Sequence, residues 1–538
     1  MSYARIRRQG WRVSASMGAL IAVLAAGQAL AQPAGEDSPI ANPGQAAVVP
    51  PKPSTMEEKI AALEARIAEL QDAIVDLKVQ SSAGVRDVRA QVAAAPTVTL
   101  ANGRPSFATA DGRFSASFRG VMQLDSALYN QDTPGPLTAD FRRGAGAGDT
   151  AHARDLSSGA HFRRGRIGLE GKLFTDFDYN ILLEFGGAGV EDPARLYELW
   201  LQYSGFKPFR FKIGAFIPNQ GLEDSISTNG MTQLERPAPS DTTRTLAGAD
   251  SRISAQLMAN GDRWFASTAV TGARVSNLTG SGSGPAQSFD EQLSVVGRLA
   301  GTPMKGQDWL VHVGVNGSKV LRVADSAGPD APVAGPRYTV QFRERPELRV
   351  DGTRLIDTGA IEAESAYTGG VEFAAQRKNF FVQGEYWKFG IERRNSTLSD
   401  PKFSGWYVEG SWILTGEPRR YNVTTATFDP PQIANPFSPK DHTWGALELA
   451  FRYSDTDLNY NVGAPGTATP ADGVRGGDMD IWTIGANWYL NNAIRFMLHF
   501  QNVDVNRLSP NPTTFQTPLG AQVGQKYQVV SLRSQFAF

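Results

Sequence analysis

Charged side chains recur at every second residue along several short segments of this chain, and that spacing decides what they could do. Arg164, Arg166, Glu170 and Lys172 share one face of segment 160–172, with Ile167, Leu169 and Leu173 on the other. Asp178, Asn180 and Glu184 oppose Tyr179, Ile181, Leu183 and Phe185, while Arg210 and Lys212 oppose Phe209, Phe211 and Ile213. Glu448 and Arg452, then Arg495, His499 and Gln501, and finally Arg533 take polar faces in the same way. Side chains alternate across a strand, so each segment carries one charged and one apolar surface. A surface with charges of both signs needs water, because each charge turned to hydrocarbon costs roughly 2–4 kcal/mol at a bilayer midplane. Its chemistry is electrostatic: it attracts and sorts ions without making a bond. Covalent alternatives lack parts. There is no Cys, hence no disulfide and no thiolate metal site. Of the five histidines, His152, His161, His312, His442 and His499, those set within strands are His312 and His499, and no serine and acid converge on either. No zinc-type histidine pair or phosphate loop has its required context, so neither enzyme nor cofactor is expected. Asp455-x-Asp457 stands alone, which argues against a metal site.

Such faces demand a closed sheet. Sixteen strand-like segments run from 113–129 to 525–538, an even number as in bacterial barrels. Short connections such as Asn260-Gly261-Asp262 and Asn491-Asn492 carry turn residues, and they alternate with long ones at 130–159, 217–249, 321–365, 457–479 and 507–524. Short periplasmic turns and long outer loops are the expected asymmetry. The connection 416–441 breaks it, being long on the periplasmic side, with room to fold into the lumen. The final segment places Val530, Leu532, Phe536 and Phe538 on one face, the ending of an outer-membrane strand. The fold expected is all-β: a 16-stranded antiparallel transmembrane β-barrel over 113–538, wide enough for an aqueous channel.

The rest of the chain fits export. Arg5, Arg7, Arg8 and Arg12, the apolar run 13–27 and Ala29-Leu30-Ala31 form a signal peptide over 1–31. Removing those four arginines from 53 basic against 54 acidic residues leaves a net charge of about −5, which argues against nucleic acid. A Pro/Ala/Gly-rich linker spans 32–53. Met56, Ile60, Leu63, Ile67, Leu70, Ile74 and Leu77 then alternate spacings of four and three, a periplasmic coiled-coil helix over 54–80 opened by a Ser54-x-x-Glu57 capping box. Lys59 of one copy can meet Glu64 of another. The alternative is a single amphipathic helix lying on the periplasmic mouth. A second linker is expected over 81–112.

In these segments the chain resembles the phosphate-selective porin O/P family of the outer membrane. The resemblance rests on Phe162-Arg163-Arg164-Gly165-Arg166-Ile167-Gly168-Leu169-Glu170-Gly171, Tyr203-Ser204-Gly205-Phe206-Lys207-Pro208, Gly221-Leu222-Glu223 and Leu234-Glu235-Arg236. Gly405-Trp406-Tyr407-Val408-Glu409-Gly410, Trp444-Gly445-Ala446-Leu447-Glu448 and Asn487-Trp488-Tyr489 extend it. It implies a homotrimer of barrels in outer-membrane lipid, loops narrowing each pore, and passage of phosphate or similar small anions along lumenal arginines. On that resemblance Arg163, Arg164 and Arg236 hold the anion, while Arg166, Arg210 and Lys212 line the path. Three positions depart. Asp224 stands where phosphate-selective members carry lysine, Val121 where they carry arginine, and Tyr197 where they carry an acid. A lysine-to-aspartate change shifts the local charge by two units, and one unit pair at about 4 Å is worth roughly 4 kcal/mol at an effective dielectric of 20.

Two other readings compete. Arg163 and Arg164 also suit a charge ladder with Glu170 and Glu184 that binds nothing. Because Arg163 falls on the lipid-facing parity of its strand, a bulge or a rim position is expected there. A general porin, or a sugar porin using Tyr197 and Trp200, fits Asp224 and the balanced lumen. The helix could also grip peptidoglycan or a periplasmic partner through residues 56–80, making the protein an envelope tether.

Overall fold

The computed structural model describes residues 55–101, 103–131, 156–187, 195–249, 251–275, 290–325, 337–510 and 520–538. The expected signal peptide, the first linker and Ser54 lie outside them.

The sixteen expected strands are all present. They are β1 (Ser115–Gln131), β2 (Gly159–Leu173), β3 (Phe177–Glu184), β4 (Arg195–Tyr203), β5 (Phe209–Phe216), β6 (Arg252–Asn260), β7 (Trp264–Arg274) and β8 (Leu293–Lys305). Then come β9 (Trp309–Arg322), β10 (Ile361–Arg377), β11 (Phe380–Arg393), β12 (Lys402–Ile413), β13 (Ala446–Tyr460), β14 (Val474–Tyr489), β15 (Ile494–Asn506) and β16 (Gln525–Ala537). Each is antiparallel to the next, and β16 returns to β1 in register from Tyr527 opposite Gln131 to Ala537 opposite Val121. Closure removes the free edges that an open sheet exposes.

The period-two faces fall as expected. Ile167, Ile181, Phe211, Phe451, Leu498 and Val530 are exposed on the outside, whereas Glu184, Glu448, Arg452, Arg495, His499 and Arg533 are buried inside. One part of the lumen breaks the polar-inside rule. Toward the outer ends of β11 to β16, the inward positions Phe389, Phe403, Leu458, Ile481 and Val503 are apolar and buried. They pack on Leu234, Ala238, Leu246, Phe342 and Leu355, which belong to two outer loops folded into the barrel. Water is excluded there, so apolar side chains gain by facing inward.

Before the barrel, α1 (Met56–Ala94) is a helix of 39 residues. It is longer than the seam predicted, and residues 81–94 are helix where a linker was expected. That stretch carries four alanines and two arginines, which favour helix, and Pro96 ends it. The observed cap is Thr55, whose Oγ1 accepts from Glu58 N at 3.3 Å while its own N donates to Glu58 Oε2 at 3.1 Å. This capping box lies one residue beyond the one expected. Residues 97–112 are likewise not a linker throughout. Thr97–Ala101 and Arg104–Ala108 pair as a hairpin, and the latter strand continues onto Ser115–Ser117 of β1. It occupies the β1 edge that β16 leaves bare below Gly120, where Phe538 makes the last pairing.

Candidate functional site: the lumenal constriction

Three connections meet inside the barrel. The third outer loop carries α2 (Leu222–Ser225) and α3 (Ala238–Ala247), nearly all of it buried. Glu385 of β11 accepts Leu222 N at 2.8 Å and Glu223 N at 3.0 Å, so a wall carboxylate satisfies the open end of α2. The fifth outer loop lies against α3, where Glu347 accepts from Ala238 N and from Ser454 and ion-pairs with Arg452. From the other side comes the connection 416–441. Its short strands Arg420–Asn422 and Thr427–Asp429 pair with one another, and Phe428 is buried against Leu222 and Phe381. Arg298 of β8 fixes this insert, donating to Thr425 O at 2.7 Å and Ala426 O at 2.9 Å while it pairs with Glu372 at 2.8 Å. The irregular periplasmic connection therefore does enter the lumen.

Glu235 is the hub of the constriction. Arg163 grips it with two hydrogen bonds of 2.7 and 2.9 Å, Arg533 donates at 2.7 Å, and Arg164 and Arg349 stand at 3.4 and 3.7 Å. Arg533 also makes two bonds of 2.6 Å to Asp125. Burial alone would raise the Glu235 carboxyl, but Arg163, Arg164, Arg533 and Arg349 outweigh burial and hold it well below the usual carboxylate range.

Arg163 reaches Glu235 through a β-bulge. In the β1–β2 register Gln123 faces Arg164 and Leu124 faces Phe162, so Arg163 is the unpaired extra residue, as its parity requires. Glycine makes room for the bulge: a Cβ on Gly186 would lie 2.7 Å from Arg164 Cα. Arg163 and Arg164 thus do not pair with Glu170 and Glu184. Glu184 holds Arg166 at 2.6 Å, and Glu170 holds Arg104 and Arg119 at 2.5 and 3.2 Å.

The other expected site residues divide in two. Arg236 is buried, 3.8 Å from Asp224, and donates to the carbonyls of Asp224 and Ile226 at 3.2 and 2.8 Å, closing its own loop. Asp224 also pairs with Arg244, so this departure from the family pattern neutralises two arginines rather than standing in the path. Further along β2, Arg166 lies 3.7 Å over the ring of Tyr197 of β4. Lys212 Nζ lies 4.5 Å over Trp200 and 5.0 Å over Phe216, and Arg210 donates to Asn260 at 3.0 Å and to the Thr424 carbonyl at 2.6 Å. Among the described residues, neither Arg210 nor Lys212 has a carboxylate within ion-pair distance. Val121 is buried in β1 opposite Arg166. Arg349 and Glu385 were missed by sequence reasoning; the four arginines spaced between Arg343 and Arg354 were the available signal for the first.

Two smaller expectations need correcting. His161 also lies within a strand, β2. Asp455 does not stand alone, since strand pairing sets it opposite Asp480, and Asp457 opposite Asp478, on the outward face of β13 and β14.

A closed sixteen-strand barrel, apolar outside and charged inside, with inward loops that narrow its lumen, defines an outer-membrane porin. The sequence pattern of phosphate-selective porin O and P matches residues 136–538, and the chain belongs to that family. It is 26% identical to Porin O of Pseudomonas aeruginosa over 436 residues, covering 78% of this chain and 89% of that one. An uncharacterised protein of Caulobacter vibrioides is 27% identical over 426 residues, covering 78% and 74%. Among solved structures, OmpT of Vibrio cholerae aligns with a TM-score of 0.43 at 10% identity, covering 79% of this chain and 98% of that one. An anion-selective porin from Comamonas acidovorans aligns at 0.41 and 12%, covering 79% and 100%.

Proposed function

We propose that this porin passes small anions of the phosphate class, and that the selecting charges are those of the β4–β5 wall. The observation that carries the reading is that, among the described residues, neither Lys212 nor Arg210 has a carboxylate within ion-pair distance on a lumenal face, Asp178 and Glu198 acting on them only from further off. The family description, phosphate-selective, supports the same solute class. Arg163, Arg164 and Arg236, committed to Glu235 and Asp224, shape the constriction instead of holding the anion. Asp224 therefore does not oppose anion passage. Sugar stacking is disfavoured, since Arg166 and Lys212 already cover faces of Tyr197 and Trp200.

Reversal potential in a planar bilayer under a salt gradient tests the reading, with phosphate then titrated into chloride. An anion-selective potential and block of chloride current by phosphate support it. A cation-selective potential overturns it, and anion selectivity without block leaves a general anion porin.

The chain also works as a homotrimer in this proposal, with α1 as its oligomerisation device. Met56, Ile60, Leu63, Ile67, Leu70, Ile74 and Leu77 are 50–75% exposed in the single chain, a seam with the spacing that the helix of a second copy would cover. Removal of residues 56–80 separates this from tethering. Loss of the trimer supports oligomerisation, whereas a conducting trimer that detaches from the envelope supports a grip on peptidoglycan or a periplasmic partner.

A further inference from the structure

The outer wall carries a groove that conduction does not use. It lies at the periplasmic ends of β9, β10 and β11, next to the short turns at 306–308 and 378–379. Strand register sets Trp309 opposite Arg377 and Arg377 opposite Phe380, then Val311 opposite Ala375 and Ala375 opposite Val382. These six side chains share the outward parity of Phe373 and Val313, which are 49% and 44% exposed. Ala375 is the smallest of them, so the surface sinks between Val311 and Val382. The groove has a volume of about 710 Å³, within the range of ligand-sized sites. Its far wall is rigid, because Phe380 stacks on Trp412 with ring centroids 5.3 Å apart and planes 12° from parallel.

At the mouth stands Arg377, exposed, between Trp309 and Phe380. Among the described residues it makes no ion pair; the neighbouring Lys378 has only a loose contact of 3.9 Å to Asp308, with both side chains largely in solvent. A cation on the lipid-facing parity is unfavourable in hydrocarbon, and an arginine there bends its head to the interface. Tryptophan and other aromatics mark that same level. The guanidinium offers a planar fork that matches phosphate oxygens. The leaflet at this end of the barrel is the periplasmic one, built of glycerophospholipids.

We propose that this groove is a binding site for one anionic glycerophospholipid of the periplasmic leaflet. An acyl chain lies over Ala375 between Val311 and Val382, and the headgroup phosphate sits on Arg377. The site would hold lipid through purification and fix the lipid contact of β9–β11.

Native mass spectrometry of the full chain in detergent tests this, with phosphatidylglycerol or phosphatidylcholine of identical acyl chains added in turn. The parent should retain one phosphatidylglycerol per chain at about one tenth of the phosphatidylcholine concentration needed for the same occupancy, because the choline cation of the second lipid offsets the phosphate charge that Arg377 would pair with. R377Q should lose that preference yet still retain lipid, and A375F should lose both. V382F provides a second way to fill the groove should A375F fail to fold, and unchanged single-channel conductance certifies the barrel, since none of these side chains faces the pore. Equal retention of the two lipids by the parent, or undiminished retention by both groove-filling variants, overturns the proposal. So does a change of oligomeric state in A375F and V382F with lipid retention intact, which would make the groove a contact between copies.

Discussion

Two walls of one lumen carry the same kinds of side chain to opposite effect. On β2, Arg163 and Arg164 are tied to Glu235 of the constriction loop, which Arg349 and Arg533 also approach. On β5, Arg210 and Lys212 meet an amide, a carbonyl and aromatic faces, with no carboxylate at ion-pair distance among the described residues. Parity makes Arg164, Arg210 and Lys212 lumenal, and the bulge turns Arg163 inward beside them. Whether a lumenal cation is a structural tie or a free charge depends on what the folded-in loops bring to it. An arginine in a pore sequence therefore counts toward ion selection only after its acids have been found.

The largest effect should come from cutting the tie. Glu235→Gln leaves Arg163 and Arg164 without their shared carboxylate, while Arg533 keeps Asp125 and Arg349 keeps Asp241. Removing one partner of a buried pair costs about 3–5 kcal/mol, so the urea midpoint in detergent micelles should fall sharply. In the fraction that folds, the released guanidiniums should strengthen anion selectivity. A variant as stable as its parent would mean the cluster is held by packing and not by charge. Phe428→Ala comes next. Loss of a buried phenyl costs about 3 kcal/mol or more, and it falls on the contact between the periplasmic insert and Leu222. Single-channel conductance should rise as the insert loosens; an unchanged value would show that solutes do not pass beside it.

The barrel was largely legible because its signal is local. Alternation in Phe209 to Phe216 or Ile494 to Gln501 is fixed by lipid on one side and water on the other, and both are visible residue by residue. Even the bulge at Arg163 followed from broken parity. What stayed hidden is long-range. Glu235 and Arg163 are 72 residues apart, Arg533 and Asp125 408, and no spacing rule joins them. The apolar inward positions Phe389 and Ile481 were unreadable for the same reason, since the loops that dry them are distant in sequence. Strand pairing gathered Asp455 and Asp480 across the long outer connection 461–473, which alternation alone does not register. The helix ran past its expected end because residues 81–94 have no seam to announce them, only good propensity.

A smaller effect follows from pH on the loop side of the comparison. Burial, then Asp241, pushes the carboxyl of Glu344 up to about 7, from an ordinary value near 4.5. The folded chain thus keeps a proton that the unfolded chain has lost between those values. Stability linked to Glu344 is complete below about pH 4.5 and is lost as pH rises through about 7. Glu344→Gln should flatten that fall in a pH series of urea midpoints, and an unaltered slope would assign it elsewhere. Outside the barrel, Thr55→Ala should lower the stability of α1 by about 1 kcal/mol, read by circular dichroism, with conductance untouched.

The finest test returns to the two walls. A unit charge about 8 Å from a permeating ion in water is worth about 0.5 kcal/mol, or about a twofold change in the permeability ratio. Lys212→Gln should therefore move the reversal potential toward zero by that factor near 0.1 M salt. The shift should shrink at 1 M, where the screening length is only about 3 Å. Arg163→Gln removes the same formal charge but leaves Glu235 less compensated, so its local field changes beside a carboxylate that Arg164, Arg349 and Arg533 still surround. Its shift should be smaller than that of Lys212→Gln at equal salt. Equal shifts from the two variants would mean that a permeating ion feels the total charge of the lumen and not its pairing, and the distinction between tied and free cations would fail.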